Sequence, residues 1–591
     1  MSSAMIDVLV IGAGFSGLCA AKTFLEHDGD AKVVILERQK SLGGVWSREL
    51  LYPTLKTNNL WSSMDYLDFP MDQSFGVKPG EHVPGETMNA YLEAYARKFG
   101  LTGRIQLEST VVEVKRRDPG GEGWIVTVES AGGVSYLECG KLVVATGITS
   151  TPHRPQLPGS DDFDRPIIHS SELGPQSATL TGDARVRTVA VLGGSKSAYD
   201  AVYLAASTGH DVEWIIRRSG RGPTWVFPIY TFLGPFKAWR ERLVTRRFVA
   251  FMCPSIFPEF AGFSWLKNVL HSTAVGRALV RAFWGASHAD TIRDCRYRTE
   301  PCLGVLEPEQ SPFWFGTASG VLNWDRDIAD FIKGGRVRIH RQDVSHLASG
   351  TIHLADGTAL AADALVTSTG FSAKPKIRFH PETLHSDLGV PSDHLDKTQR
   401  SFWSRLDLQS DVAIGTQFPR LLVGPHRSPG SSSPKPFHPG MTAEVSYTPW
   451  RLYRGIAPPG LTAAGDRSLV FLGMFSNLAN TIRLDIQCLW ALAYFHGKLR
   501  SVDEDVAKGA VFEETSLLQR FAHHRAPYGH GRFYPDLVFE QMGYWELLLH
   551  DLGLPIRRKA NWFRELFEPY SQEDYRGIAR EWMRRNRQPP A

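Results

Sequence analysis

Short apolar runs that end in glycine set the rhythm of this chain. Val8-Leu9-Val10-Ile11 runs into Gly12-Ala13-Gly14-Phe15-Ser16-Gly17, and a small-residue helical pattern follows. So brief a continuous apolar run predicts a strand buried on both faces, and the glycine turn into a helix predicts a βαβ unit. Its second strand is Val33-Val34-Ile35-Leu36, closed by Glu37. The pattern returns at Thr188-Val189-Ala190-Val191-Leu192, followed by Gly193-Gly194-Ser195-Lys196-Ser197-Ala198 and a helix from Tyr199 to Ser207. There the second strand is Val212-Glu213-Trp214-Ile215-Ile216, closed by Arg217-Arg218. Two such units in tandem predict an α/β protein with two Rossmann-like dinucleotide-binding domains.

Between and after these units the periodicity changes. Met88 to Phe99 reads as a helix with Met88, Tyr91, Leu92 and Tyr95 on one face. Val111 to Val114 and Trp124 to Val128 read as a hairpin around the loop Asp118 to Gly123. Lys141 to Gly147 is a buried strand ending in a glycine turn, and Asp363 to Phe371 echoes it. Three prolines between Thr151 and Pro158 mark a hinge. From Gly222 to Phe315 the rhythm breaks into an aromatic, apolar and proline-bearing insert. Strand signals return at Val337 to Ile339 and at Thr351 to Leu354, the latter before the turn Asp356-Gly357. The Ser/Pro/Gly-rich stretch 424–439 predicts a mobile surface loop. Leu469 to Gly473 is a last buried strand, and a helix follows from Thr481 to His496. The domains expected are a discontinuous first nucleotide domain (1–155 and 365–500) and an inserted second one (156–364, with the aromatic insert 222–315). A helical C-terminal extension (501–591), read as an appended cap, completes the chain.

Composition narrows the function classes. A chain of 591 residues is too long for one core. Sixty-six basic and 62 acidic residues leave a formal charge of only +4, which argues against nucleic acid as the main partner. Cys19, Cys139, Cys253, Cys295, Cys302 and Cys488 form no CxxC pair, as expected of a reduced cytoplasmic protein. The N-terminus lacks a secretory pattern, and no window is cleanly apolar enough to span a membrane. Phe248 to Leu266 comes nearest but contains Pro254, Pro258 and Glu259, so peripheral membrane contact is the most it allows. His523, His524 and His530 have no metal-ligand spacing, and no G-x-S-x-G motif follows a strand. Nothing in the sequence sets an oligomeric state.

The two glycine turns carry the first chemistry. Gly12 allows a tight turn, Gly14 lets backbone approach a pyrophosphate, and Gly17 lets helix and strand pack closely. Glu37 ends the second strand where a carboxylate accepts from an unphosphorylated ribose, which suits the adenosine half of FAD. Arg217 and Arg218 stand at the equivalent place in the second unit and match a 2′-phosphate, so NADPH is favoured over NADH, with Lys196 able to add to that site. Ser195 and Ala198 depart from the glycine pattern, although the Ser195 hydroxyl could donate to a phosphate.

A family resemblance becomes specific further along. Glu37-Arg38-Gln39-Lys40-Ser41-Leu42-Gly43-Gly44-Val45-Trp46 resembles the E-R-x-x-x-x-G-G-x-W segment of flavin-containing monooxygenases and their class B flavoprotein relatives. Tyr52 to Asn58 is similar to that family's stretch ending in Thr-Asn, here Thr57-Asn58. Ala145-Thr146-Gly147 and Ser368-Thr369-Gly370-Phe371 resemble its paired A-T-G turns. Phe163 to His169 resembles its F-x-G-x-x-x-H motif with Arg165 in place of glycine, and Leu173 stands where an aromatic is usual. The resemblance spans residues 5 to about 500 in the right order, and the tail is similar to extensions on fungal members.

On this basis FAD is expected at Gly12, Gly14, Phe15, Ser16, Gly17, Glu37, Arg38, Gly44, Val45, Trp46, Thr57, Asn58, Val112, Thr146 and Gly147. NADPH is expected at Gly193, Ser195, Lys196, Ser197, Arg217 and Arg218, and no metal is expected. The resemblance implies that NADPH reduces FAD, that O2 adds at flavin C4a as a hydroperoxide, and that one oxygen atom passes to a substrate. It places Asn58 beside the peroxide, with adjacent Asn59 competing for the role, and gives His169 a functional or linker part at the domain junction. A disulfide reductase would need a cysteine pair near the flavin, and none lies between Cys19 and Cys139. A Baeyer–Villiger enzyme acting on a ketone and a non-catalytic flavin- and NADPH-binding protein remain as alternatives. The aromatic insert suits either a pocket for a lipophilic small molecule or ordinary core packing.

Overall fold

In the computed structural model, which describes residues 5–117, 123–233, 236–393, 395–425 and 447–587, a mixed sheet and a parallel sheet lie in tandem. In the first, Ile6–Ile11 pairs in parallel with Val33–Leu36 on one side and with the end of Gly133–Val144 on the other. Ile105–Gln106 and Leu469–Phe471 extend this parallel part. Val8 to Ile11 are all buried, as a strand covered on both faces requires. Helix Phe15–His27 and helix Asn480–Phe495 cover one face, and Phe24 stacks on Phe495. The long strand Gly133–Val144 leaves the parallel part to join Trp124–Ser130 and Thr110–Arg116 in an antiparallel meander. The loop expected at 118–123 lies almost wholly outside the described residues, as does most of that expected at 424–439.

The second sheet is wholly parallel. Its order is Val337–His340, Asp211–Ile215, Thr188–Leu192, Ala364–Thr367, Ile167–His169. Strand Ala364–Thr367 therefore belongs here, so the chain returns to the first domain after Thr367 and not at the expected 364/365 boundary.

The insert is closed at its base by Val226–Phe227 pairing with Gly320–Val321. It carries the hairpin Tyr230–Leu233/Phe236–Trp239 and four helices, Arg240–Val244, Arg247–Phe251, Ser264–Ser272 and Ala274–Asp294. The C-terminal region is built into the molecule, which corrects its reading as an appended cap. Arg247 of the insert is buried against Glu546 (2.5 Å) and Glu565 (2.6 Å), and Arg454 reaches Asp551 at 3.0 Å. Asp536 accepts from the backbone of Thr317 and of His530, both at 2.8 Å, and so stitches insert to tail. Removing one partner of such buried charges costs several kcal/mol, so insert and tail act as one block. Among the described residues no helix is long and apolar enough to cross a membrane.

Candidate active site

The first glycine turn is a fitted cradle. A Cβ on Gly17 would stand 1.8 Å from the Gly12 carbonyl oxygen, and Gly12 itself needs φ +108°. Gly44, at φ +63°, brings its backbone over Gly14, where a Cβ would meet the Gly14 Cα at 3.1 Å. Gly43 N–H donates to the Ala13 carbonyl at 2.9 Å and fixes this second layer, while Val45 beside it stays exposed. Gly14 at the N-cap offers no side chain to the first turn of helix Phe15–His27, which leaves amides directed at a phosphate. Buried Glu37 accepts from Ala13 N–H at 2.8 Å and Gln39 N–H at 2.9 Å. It braces the turn and still keeps lone pairs for a ribose. Arg38 is exposed and donates toward the Ser150 carbonyl at 3.4 Å. Val112 is the extra residue of a β-bulge, because Val111 pairs with Val128 and Glu113 with Thr127. Its peptide is released from the ladder, as an adenine contact would need. Thr146 and Gly147 follow strand Gly133–Val144, at whose end the Ala145 carbonyl lies against Gly12. These residues fit the pyrophosphate and adenosine of FAD.

The second turn repeats this design with more side chain. Gly193, at φ +144°, meets the Ser368 carbonyl, and Thr224 N–H bonds the Gly194 carbonyl at 2.8 Å. Ser195 is the exposed N-cap of helix Lys196–Ser207, and its hydroxyl caps nothing. Lys196 departs from expectation. Its ammonium is held by Asp200 Oδ1 (2.5 Å) and Asn323 Oδ1 (3.0 Å) and sits 4.6 Å over the Trp324 ring, so it is committed within the junction and not to the arginines. Arg217 and Arg218 are exposed just past the end of strand Asp211–Ile215. Two arginines that the sequence reading missed join them. Arg341 follows strand Val337–His340, whose His340 is level with Ile215. Burial holds its guanidinium below the usual range, and Arg218 adds to that effect. Arg221 is also lowered by burial, feels Arg217, and donates to the Tyr528 and Gly529 carbonyls at 3.1 and 3.0 Å. Only strand register brings Arg341 here, and the sequence pattern does not carry register.

Asn323 links this unit to the next. Its Nδ2 donates to the Lys56 and Thr57 carbonyls at 3.1 and 3.3 Å, on the strand Lys56–Leu60 that carries Asn58. Strand alternation separates the two candidate asparagines. Asn59 is buried and donates to Glu241 Oε1 (2.5 Å) and the Leu478 carbonyl (3.2 Å). The Asn58 carboxamide is exposed and takes no partner among the described residues. Thr57 is buried, its hydroxyl donating to the Asn59 carbonyl (2.6 Å) and accepting from Val83 N–H (3.0 Å).

Asn58 opens onto a cavity of about 540 Å³. The insert lines most of it, with Phe227, Trp239, Phe248 and Trp284, and the tail adds Phe539 and Phe567. Ser476, Asn477 and Leu478 close it from a loop that begins at Gly473, where a Cβ would lie 2.9 Å from Ser16 Oγ of the first cradle. Glu241 is the acid in this wall. Burial pushes its carboxyl up to about 7 even though Asn59 bonds it.

His169 lies at the junction between the second sheet and the Gly370 turn. It is fully buried, bonds Ser171 Oγ at 2.8 Å and the Gly370 carbonyl at 3.1 Å, and meets Phe371 edge-on. Burial, aided by Arg154, keeps it below the usual imidazole range. Arg165 lies at the surface beside Asp164 and the Gly350 turn.

A family model described as pyridine nucleotide-disulphide oxidoreductase matches residues 9–230, which hold both cradles. The FAD-dependent monooxygenase resA of Aspergillus sclerotiorum is 33% identical, with 98% of each chain covered. The FAD-dependent monooxygenase rstn6 of Aspergillus nomiae is 34% identical, again over 98% of each. Among solved structures, an oxidized steroid monooxygenase bound to NADP aligns with a TM-score of 0.56 at 16% identity, over 92% of this chain and 97% of its own. An open cyclohexanone monooxygenase aligns at 0.55 and 15%, over 93% and 98%, so both share the fold. With a third of its residues shared end to end with such relatives, the chain belongs to the FAD-dependent monooxygenases.

Proposed function

We propose that this monooxygenase inserts one oxygen atom from O2 into a lipophilic small molecule held in the cavity beside Asn58. The observation that carries the reading is that cavity. It is walled mainly by aromatic and aliphatic side chains, and it joins Asn58 to the loop that starts at Gly473, against Ser16 of the first cradle. FAD, held by the first cradle through Gly12, Gly14 and Glu37, would supply the redox chemistry that couples oxidation of NADPH to activation of O2. The chain's own residues do the rest. Arg217, Arg218 and Arg341 favour a 2′-phosphate over a hydroxyl. The apolar insert and tail exclude water, which keeps activated oxygen from escaping as hydrogen peroxide. The Asn58 carboxamide has both a donor and an acceptor to offer at the reacting edge.

The test is a product panel of one tertiary amine, one aryl sulfide and one cyclic ketone, supplied with NADPH and 18O2. One labelled oxygen per product and one NADPH per turnover on at least one member are expected, and the member oxidised separates N- or S-oxygenation from ketone insertion. FAD-loaded enzyme that oxidises NADPH only to hydrogen peroxide with all three would contradict the reading.

A further inference from the structure

One charge in the cavity wall is left uncompensated by the protein. Arg246 lines the cavity beside the apolar insert residues. Its position is fixed from both sides. Arg247 is locked between Glu546 and Glu565, the Thr245 carbonyl accepts from Tyr570 N–H at 3.0 Å, and Arg246 N–H bonds the Leu243 carbonyl at 3.2 Å. The Arg246 side chain itself has no hydrogen-bond or ion-pair partner among the described residues, and its Nε is buried without an acceptor. Burial alone lowers its affinity for the proton, with no carboxylate acting against it.

The other charges nearby are settled among themselves. Arg240 and Arg293 face Asp290 and Asp294, two cations against two anions. Glu241 is engaged by Asn59, and the nearby cation that acts on it is Arg242, not Arg246. A guanidinium in a largely apolar wall is costly unless something completes it. Its planar fork of donors matches an oxyanion, with two parallel hydrogen bonds to a carboxylate.

We propose that Arg246 is the recognition point for an oxyanion on the substrate. The cavity then takes a lipophilic small molecule bearing a carboxylate or an equivalent oxyanion, with its apolar body along Trp239, Phe248 and Phe539. The acid end sits on Arg246 and the oxidisable atom lies toward Asn58. This assignment rests on the cavity being the oxygenation chamber. A neutral analogue of the same shape leaves the guanidinium unpaired, so Arg246 discriminates by charge where the aromatic wall cannot.

The probes are 4-(methylthio)phenylacetate and its methyl ester. Each is titrated calorimetrically into oxidised, FAD-loaded full-length enzyme with NADP⁺, as wild type, Arg246→Met and Arg246→Lys. The wild type is expected to bind the acid at least about 10-fold more tightly than the ester. Arg246→Met should erase that preference while changing ester affinity by less than about two-fold, and Arg246→Lys should keep part of it. Equal affinity for acid and ester in the wild type, no measurable binding of either, or an equal loss of both in Arg246→Met overturns the proposal. Sulfoxide formation with NADPH is scored separately. An acid preference, with NADPH oxidised only to hydrogen peroxide here and across the three-member panel, keeps the anion site and removes the oxygenation reading, and sulfoxide without an acid preference does the reverse.

Discussion

The two nucleotide turns of this enzyme share a strand, a glycine turn and a helix, and differ at two of the three glycine positions, where Ser195 and Ala198 stand for Gly14 and Gly17. At Gly17 a Cβ would stand 1.8 Å from a backbone oxygen of its own turn. At the equivalent place the second unit carries Ala198, whose methyl is buried without disturbing helix Lys196–Ser207. The turns open differently, with φ +108° at Gly12 and +144° at Gly193. The first is sealed from above by Gly43-Gly44, while the second is backed by Gly222-Pro223 of the insert. A tight, glycine-only cradle suits a cofactor that stays bound throughout the cycle. A looser one with arginines at its rim suits a nucleotide that is recognised by its phosphate and exchanged. In the proposed function the same local motif serves two purposes, and its surroundings decide which.

Variants at matched positions in the two turns probe that contrast. The largest effect is expected from Gly17→Ala, since the clash is with backbone and costs about 3 kcal/mol. The purified protein should lose its flavin, read from the visible spectrum, while NADP⁺ still raises its melting temperature. Retained flavin would mean the first turn is not the cradle described. Next comes Arg217→Ala with Arg218→Ala. Losing charge-assisted bonds to a phosphate should raise the KM for NADPH about 10- to 100-fold and leave that for NADH within about three-fold. Parallel changes in both KM values would take the 2′-phosphate away from these arginines. The smallest effect is expected at Ala198→Gly, which removes a methyl that the second turn tolerates. Both nucleotides should still bind, with a stability loss of about 1 kcal/mol from the added glycine in a helix. Loss of NADPH binding there would show that the second cradle depends on that methyl.

Legibility followed the same division. Both cradles could be read from sequence because strand, turn and helix are contiguous, and Glu37 and Arg217 each close the strand that follows. The domain crossing was legible to within a few residues, since Ala364–Thr367 looks like any buried parallel strand until its neighbours are known. The partners of Lys196 were not legible, because Asp200 one helical turn on and Asn323 far along the chain are brought to it by packing. The cavity was the least legible part. Its walls come from strand Lys56–Leu60, the insert, the 476–480 loop and the tail, and the aromatics that the insert and the tail contribute also look like core. Glu241 and Arg246 carry no motif, and only burial and missing partners single them out.

Oxygen transfer beside Asn58 is the step on which the proposed function depends, and the Asn58→Ala variant isolates it. Flavin content and the rate of anaerobic flavin reduction by NADPH should match the wild type, because the carboxamide takes no part in holding the fold. In air, with whichever panel substrate the wild type oxidises, the variant should divert most of its NADPH to hydrogen peroxide. An unchanged ratio of product to NADPH in Asn58→Ala would contradict the account and remove Asn58, with the cavity it opens onto, from the centre of the reaction.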